Sequence, residues 1–388
     1  MTSIPMENCC GCTACYNACP VAAIEMKPDK EGFLFPELNK AKCVECGLCE
    51  KVCPLLNPPK INERYEGSIV AQHEKKEVLR ESTSGGFIDA LCEAAILCKN
   101  GYVAGVMYDE CFMPVHKITN QLTDLAQFRN SKYAQSELGN SFSQIRDLLE
   151  NKKFVLFIGT PCQVAGLKSY LQKDYSQLVT VDLVCRSIPS PKLWKMYLDW
   201  QKKRYKGNIK YVICRKKTYG YHSGTLEIVF DNGRRYRGSN RVDYFMKSFH
   251  SNICSRQSCY DCHFKTKHRC SDFTVFDSWN PQGVTNVLQK DNDCGYSNVI
   301  IHTQRGMECL EHVQNVKQYP AEAEKMFSYT GGMESQSVKK KTERDSFYED
   351  LEQFSFEQTM KKYVQVSTVD RLIETLKPLR YCLKRMRR

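Results

Sequence analysis

Cysteine supplies the first chemistry in this chain. Cys9-x2-Cys12-x2-Cys15-x3-Cys19 runs into Pro20, and Cys43-x2-Cys46-x2-Cys49-x3-Cys53 runs into Pro54. Thiolates at this spacing form the ligand run of paired [4Fe-4S] clusters, in which the last cysteine of each run serves the other cluster. The pattern assigns Cys9, Cys12, Cys15 and Cys53 to one cubane, and Cys43, Cys46, Cys49 and Cys19 to a second. One run alone fits zinc as well. Two in tandem, each closing on Cys-Pro, point to iron and sulfide, and so to electrons moved one at a time.

More thiols lie deeper in the sequence. In Gly159-Thr160-Pro161-Cys162-Gln163, Thr160 is a good helix N-cap and Pro161 suits the first helical position. Cys162 then falls in a first helical turn, where free backbone N–H groups favour a thiolate or a bound anion. Cys185 follows the run Val181–Val184. Ligands gather at the carboxyl ends of parallel strands, so Cys162 and Cys185 are expected to be neighbours. Cys259-x2-Cys262 is a two-ligand hook. Cys162 and Cys185 complete a set of four in one reading; Cys254 and Cys270 complete it in another, which also suits zinc. Ser82-Thr83-Ser84-Gly85-Gly86, ahead of a helix, offers hydroxyls and open backbone to a phosphate. Ser131-Lys132-Tyr133 adds a cation and an aromatic ring. A plain loop-to-helix joint has the same composition.

These residues need elements to hold them. Apolar runs and periodicity predict strands over 67–73, 102–108, 154–158 and 179–184, and helices over 87–99, 138–151, 162–172 and 191–203. The apolar run at 154–158 suits a buried parallel strand, and the strand–helix alternation predicts an α/β domain. Strands at 225–230 and 234–237 flank Asp231-Asn232-Gly233, a hairpin signal. The expected fold class is α+β. A two-cluster ferredoxin domain occupies residues 1–57, an α/β domain follows the Pro58-Pro59 linker over 58–305, and 306–388 form a peripheral, polar, helical region.

The chain has 388 residues, 22 cysteines and a net charge of +12. No secretory leader and no apolar stretch long enough for a membrane span is evident, and free thiols suit a reducing cytoplasm. Lys202, Lys203, Arg204, Lys206, Lys210, Arg215, Lys216, Lys217, Arg234, Arg235, Arg237 and Arg241 crowd one segment against Glu227 and Asp231. This is either a solvated face or a seat for an anion; no nucleic-acid signature accompanies it. In the tail, Leu372, Leu376, Leu379, Leu383 and Met386 recur at helical spacing, interrupted by Pro378. Arg371, Lys377, Arg380, Lys384, Arg385, Arg387 and Arg388 surround them. The tail packs on its own domain, or it is an anchor for a peripheral contact with the inner face of an anionic membrane.

In this order the motifs resemble the beta subunits of coenzyme F-420 hydrogenases and related dehydrogenases, in the bacterial form that begins with a two-cluster ferredoxin. The resemblance rests on Ser82–Phe87 (STSGGF), Ser131–Ser136 (SKYAQS), Val155–Lys168 (VLFIGTPCQVAGLK), Asp182–Pro191 (DLVCRSIPSP), Ser258–Lys265 (SCYDCHFK) and Arg269–Trp279 (RCSDFTVFDSW). It implies an α/β flavoprotein domain with its own third [4Fe-4S] cluster, held by Cys162, Cys185, Cys259 and Cys262. It implies FAD, or less readily FMN, held by Ser82, Ser84, Gly85, Gly86, Lys132, Gly159, Thr160 and Gln163. The implied activity is that of an iron–sulfur flavoprotein oxidoreductase acting on a small organic substrate, in a setting of surface polysaccharide biosynthesis. The alternative is an electron-transfer relay subunit that serves a separate redox partner protein. Two positions depart from the family: Arg186-Ser187 replaces His-Gly, and Asn280 replaces the glycine after the tryptophan.

Overall fold

Each CxxC loop of the N-terminal part turns directly into a short helix, Ala14–Ala18 and Leu48–Lys51. Between them, β1 (Ile24–Pro28) and β2 (Leu34–Leu38) pair antiparallel. This is a ferredoxin-like unit in a computed structural model that describes residues 6–386.

The following strands are β3 (Gly67–His73), β4 (Tyr102–Tyr108), β5 (Pro114–Thr119), β6 (Val155–Gly159) and β7 (Leu178–Leu183). After them come β8 (Ile209–Lys216), β9 (Thr225–Phe230), β10 (Arg235–Gly238), β11 (Phe273–Asp277), β12 (Ser297–Ile301) and β13 (Val316–Pro320). Eight of these form one sheet in the order β13-β3-β12-β11-β7-β6-β4-β5. Its centre, β4-β6-β7-β11, is parallel. The flanks, β5 on one side and β12, β3 and β13 on the other, are antiparallel. The fold is therefore α+β, with the anticipated parallel core. β6 is apolar and buried at every position. Its side chains alternate between faces: Leu156 and Ile158 join the apolar layer of Phe87 and Leu91, while Val155 and Phe157 join that of Phe142 and Val164.

β8, β9 and β10 make a separate antiparallel sheet, with the expected hairpin at Asp231–Gly233 and Gly233 at φ +79°. Trp194 and Tyr197, from the helix Pro191–Tyr205, pack in this unit's core.

Two expectations change. The basic segment contains β8, whose Val212, Ile213 and Cys214 are buried. The region after residue 306 is helical at its end, but it also supplies the edge strand β13. In it Phe347 and Leu351, and likewise Phe356 and Met360, recur one turn apart and fill the core around Trp194, so that stretch is not peripheral.

Candidate redox site

Sheet register sets the site. Gly159 at the end of β6 lies opposite Asp182 on β7, and Asp182 lies opposite Thr274 on β11. The carboxyl ends of three parallel strands thus come together, and the turns that leave them carry Cys162, Cys185 and Trp279. They open into a cavity of about 1090 Å³, whose wall also takes in Cys259, Cys262 and the turns at 82–86 and 130–136.

Cys162, Cys185, Cys259 and Cys262 stand within electrostatic reach of one another. Burial pushes the Cys185 thiol up to about 12, and Cys162 and Cys262 add to it. Burial raises Cys259 as well, followed by Cys185, Cys262 and Cys162, and it raises Cys262, helped by Cys162. Crowded thiols oppose one another's ionisation, whereas a bound cluster would hold all four as thiolates. The other completion fails on position. Cys254 bonds with Ser248 in the core around Trp194, and Cys270 belongs to the layer of Phe142.

Of the ferredoxin thiols, Cys15 is pushed up to about 12 by burial and then by Cys9 and Cys53. Cys10 pulls the Cys12 thiol down, but burial, with Cys15 and Cys9 contributing, outweighs it and leaves Cys12 raised. These four are the set that the spacing assigns to one cubane. For the other set, backbone N–H groups of Ala23 and Glu45 donate to the sulfurs of Cys19 and Cys43 at 3.2 and 3.4 Å, and Cys46 is exposed. Among the described residues no group of three or more His, Cys, Asp or Glu side chains is arranged to hold a single metal ion.

The residues expected to hold a flavin are less uniform. Ser82, Ser84, Gly86, Lys132, Gly159, Thr160 and Gln163 line the cavity; Gly85 does not. A Cβ at Gly85 would collide with the carbonyl of Ala71 and the N–H of Ser297, so the sheet backbone requires the glycine, not the approach of a phosphate. Ser84 Oγ is bonded to Ser297 Oγ at 2.8 Å. Thr160 and Gln163 form a capping box, and Gln163 Nε2 also donates to Ser136 Oγ at 3.0 Å. Lys132 is buried, which pulls its ammonium down to about 7. Its Nζ donates to the carbonyls of Gln127, Phe128 and Arg129 at 2.9, 3.0 and 2.8 Å. An ammonium has three donors, so Lys132 has none left for a ligand.

Three cavity residues were not singled out from the sequence as site residues. Arg215 bonds Asp277 at 2.5 Å and lies over the rings of Trp279 and Tyr221, 4.5 and 5.1 Å from their centroids. Its Nη2 is buried and has no hydrogen-bond partner among the described residues. Of the basic segment only Arg215 and Arg241 reach the cavity; Lys216 and Arg237 instead neutralise buried Glu227. His250 stands beside Arg186 in the cavity wall, and Arg186 donates to its carbonyl. His250 is exposed at the cavity wall, and desolvation by its neighbours, then the charges of Arg186 and Arg215, lowers its imidazole to about 4. Cys10, next to Cys9, lines the cavity, and Cys12 and Cys162 both act on its thiol, which is raised well above its usual range. A second cysteine inside the first CxxC loop was the available signal for it.

The tail closes this cavity. Thr368–Met386 is one helix despite Pro378, and Ile373, Glu374, Lys377 and Tyr381 line the wall. Glu374 accepts from the Ser239 N–H at 3.0 Å, and Lys247 donates to Asp370 at 3.0 Å. The polar side therefore faces the body, and Leu372, Leu376, Leu379 and Leu383 are 59, 42, 58 and 49% exposed. The side chains of Lys384, Arg385 and Met386, and the whole of Arg387 and Arg388, lie outside the described residues.

Residues 152–326 match the family described as the C terminus of the coenzyme F420 hydrogenase/dehydrogenase beta subunit. Residues 8–55 match the 4Fe-4S dicluster domain. The chain is 25% identical over 320 residues to the coenzyme F420-dependent sulfite reductase of Methanocaldococcus jannaschii, covering 79% of this chain but only 46% of that protein. It is 36% identical over 62 residues to a ferredoxin of Alicyclobacillus acidocaldarius, across 16% of this chain and 65% of the ferredoxin. Among solved structures, a chain of the F420-reducing [NiFe] hydrogenase complex from Methanosarcina barkeri aligns with a TM-score of 0.44 at 15% identity, over 77% of this chain and 91% of that one.

Proposed function

For a chain whose residues 152–326 match the C terminus of the coenzyme F420 hydrogenase/dehydrogenase beta subunit and whose residues 8–55 match a 4Fe-4S dicluster domain, we propose the role of an iron–sulfur flavoprotein oxidoreductase. On this reading residues 1–57, 58–305 and 306–388 are its ferredoxin, catalytic and C-terminal parts. Cys9, Cys12, Cys15 and Cys53 would hold one cubane, Cys43, Cys46, Cys49 and Cys19 a second near the exposed Cys46 that faces a redox partner protein, and Cys162, Cys185, Cys259 and Cys262 a third; such clusters would supply one-electron transfer. A flavin, when bound, exchanges these single electrons for the two-electron chemistry of a small organic substrate. The observation that carries the reading is one cavity shared by the third thiol set and both helix-entry turns. Its volume is ample for a dinucleotide, which favours FAD over FMN.

The chain's own residues fit that use in specific ways. The unpartnered Nη2 of Arg215 offers a charged donor to an electron-rich edge of flavin or substrate. Trp279, exposed in the cavity wall, gives a ring face for stacking. Neutral His250, not a histidine after Cys185, is the imidazole available to accept a proton. The exposed leucines of the C-terminal helix and its basic neighbours support a cytoplasmic protein held at the inner face of a membrane. A place in surface polysaccharide assembly rests on the resemblance alone.

The test is anaerobic purification with iron, sulfide and flavin analysis. We expect three cubanes and a non-covalent FAD. Protein with its full clusters and no affinity for FAD or FMN would leave the relay subunit as the better reading.

A further inference from the structure

Arg256 is 1% exposed. Its Nε donates to the Cys9 carbonyl at 2.8 Å, Nη1 to Gln135 Oε1 at 2.9 Å and Nη2 to the Leu34 carbonyl at 3.0 Å. Its guanidinium lies 4.0 Å from the ring centroid of Phe35. All these partners are neutral, and among the described residues no carboxylate pairs with it. The other buried strap to the N-terminal unit, Arg344, is built differently: it has Glu31 as an ion-pair partner, at 2.8 Å from Nη1.

A buried charge without a counter-charge is costly enough that proteins almost always pair it. Arg256 is tied to a cysteine of each thiol set: its Nε holds the Cys9 carbonyl, and its own carbonyl accepts from the Cys259 N–H at 2.9 Å. We propose that Arg256 is the shared counter-charge of the cubane at Cys9, Cys12, Cys15 and Cys53 and of the third cubane, and that it sets both reduction potentials. This rests on the reading that both thiol sets hold clusters. Reduction adds an electron to an already anionic centre, so a fixed cation nearby favours the reduced form and raises the potential. The two centres on either side of the junction are raised together, and electrons are drawn from the exposed cluster toward the cavity. Arg256 is a positioning and tuning residue, not a catalytic one.

The test is a redox titration followed by electron paramagnetic resonance on the anaerobic, fully loaded chain. Arg256→Met should shift the reduction equilibria of these two clusters at least tenfold toward the oxidised form, about 59 mV each for one electron. The cluster of Cys43, Cys46 and Cys49 serves as internal reference. Arg256→Lys should retain most of the wild-type potentials. Gln135→Glu neutralises the charge in place and should act like Arg256→Met, which keeps the test valid if Arg256→Met does not fold. Arg344→Gln removes a strap whose charge is already balanced, and should leave the potentials unchanged. Wild-type potentials in loaded Arg256→Met or Gln135→Glu would overturn the proposal, as would an equal shift in Arg344→Gln. Absence of iron from the wild-type third set would instead remove the cluster reading itself.

Discussion

Asp182 on β7 and Asp272 at the entry to β11 are both buried, yet their surroundings move them in opposite directions. Burial pushes the Asp182 carboxyl up, against the pull of Arg269 and the Thr274 hydroxyl. Burial acts on Asp272 too, but Lys168, Arg305 and the hydroxyls of Thr303 and Thr180 outweigh it and hold that carboxyl below its usual range. The signs follow from linkage. Asp272 contributes stability at neutral pH that is lost as pH falls through its lowered pKa, below the free value near 4. Asp182 carries a cost that begins as pH rises past that free value and is complete above its raised pKa. Asp272→Asn should therefore lower stability at pH 7 by roughly 1.5–3 kcal/mol, the range for hydrogen bonds to a charged group. Asp182→Asn keeps an acceptor for Thr274 and should raise the melting temperature, by less as pH drops. Thermal unfolding of both variants at pH 6 and 7 decides this; equal losses would mean that Asp182 is held ionised as firmly as Asp272.

At the scale of elements, the helix Pro161–Leu171 couples the two halves of the redox site. Cys162 lies in its first turn, and one turn further on a Cβ at Gly166 would stand 2.7 Å from Cys12 Cβ and 2.9 Å from Cys12 Sγ. Gly166→Ala should displace a ligand of the ferredoxin, at an overpacking cost of roughly 1–3 kcal/mol. We expect the iron content to fall by one cubane while the cavity keeps its shape; full iron would show that the loop yields instead. An interior glycine in a helix is itself a signal of close approach, and the sequence VAGLK displayed it. The strands beside that helix were equally legible, since Val155–Ile158 is apolar throughout and one residue type decides the structure. β12 and β13 were not, because their partner β3 lies more than 200 residues earlier in the chain. The dicluster domain at residues 8–55 could be read because the cysteine spacing is itself the chemistry. Lys132 could not, because a buried lysine satisfied by three carbonyls and one awaiting a phosphate have the same letter. Arg215 and Arg256 owe their importance to a buried unpartnered nitrogen and a buried unpaired charge, which no local pattern encodes.

Over the whole molecule, the C-terminal helix turns its polar side inward to the cavity and its leucines outward. Polar body contacts consume Asp370 and Glu374, and Arg371 and Arg380 are exposed on the same helix as the leucines. Each basic residue near an anionic surface adds about 1 kcal/mol. The wild-type chain should sediment with phosphatidylserine vesicles at low salt and not with phosphatidylcholine. Leu372→Glu with Leu379→Glu should remain in the supernatant with cluster content unchanged. Equal sedimentation of both proteins would mean that the leucine face does not touch lipid. The two arginine straps have a kinetic consequence. Because Arg256 and Arg344 fix the ferredoxin-like unit on the body, an electron passed between the two parts, on the proposed function, would travel within one molecule and need no encounter. Its rate is first order: dilution leaves it unchanged, and salt, which screens the meeting of separate carriers, acts only on the step by which reducing equivalents first arrive from outside.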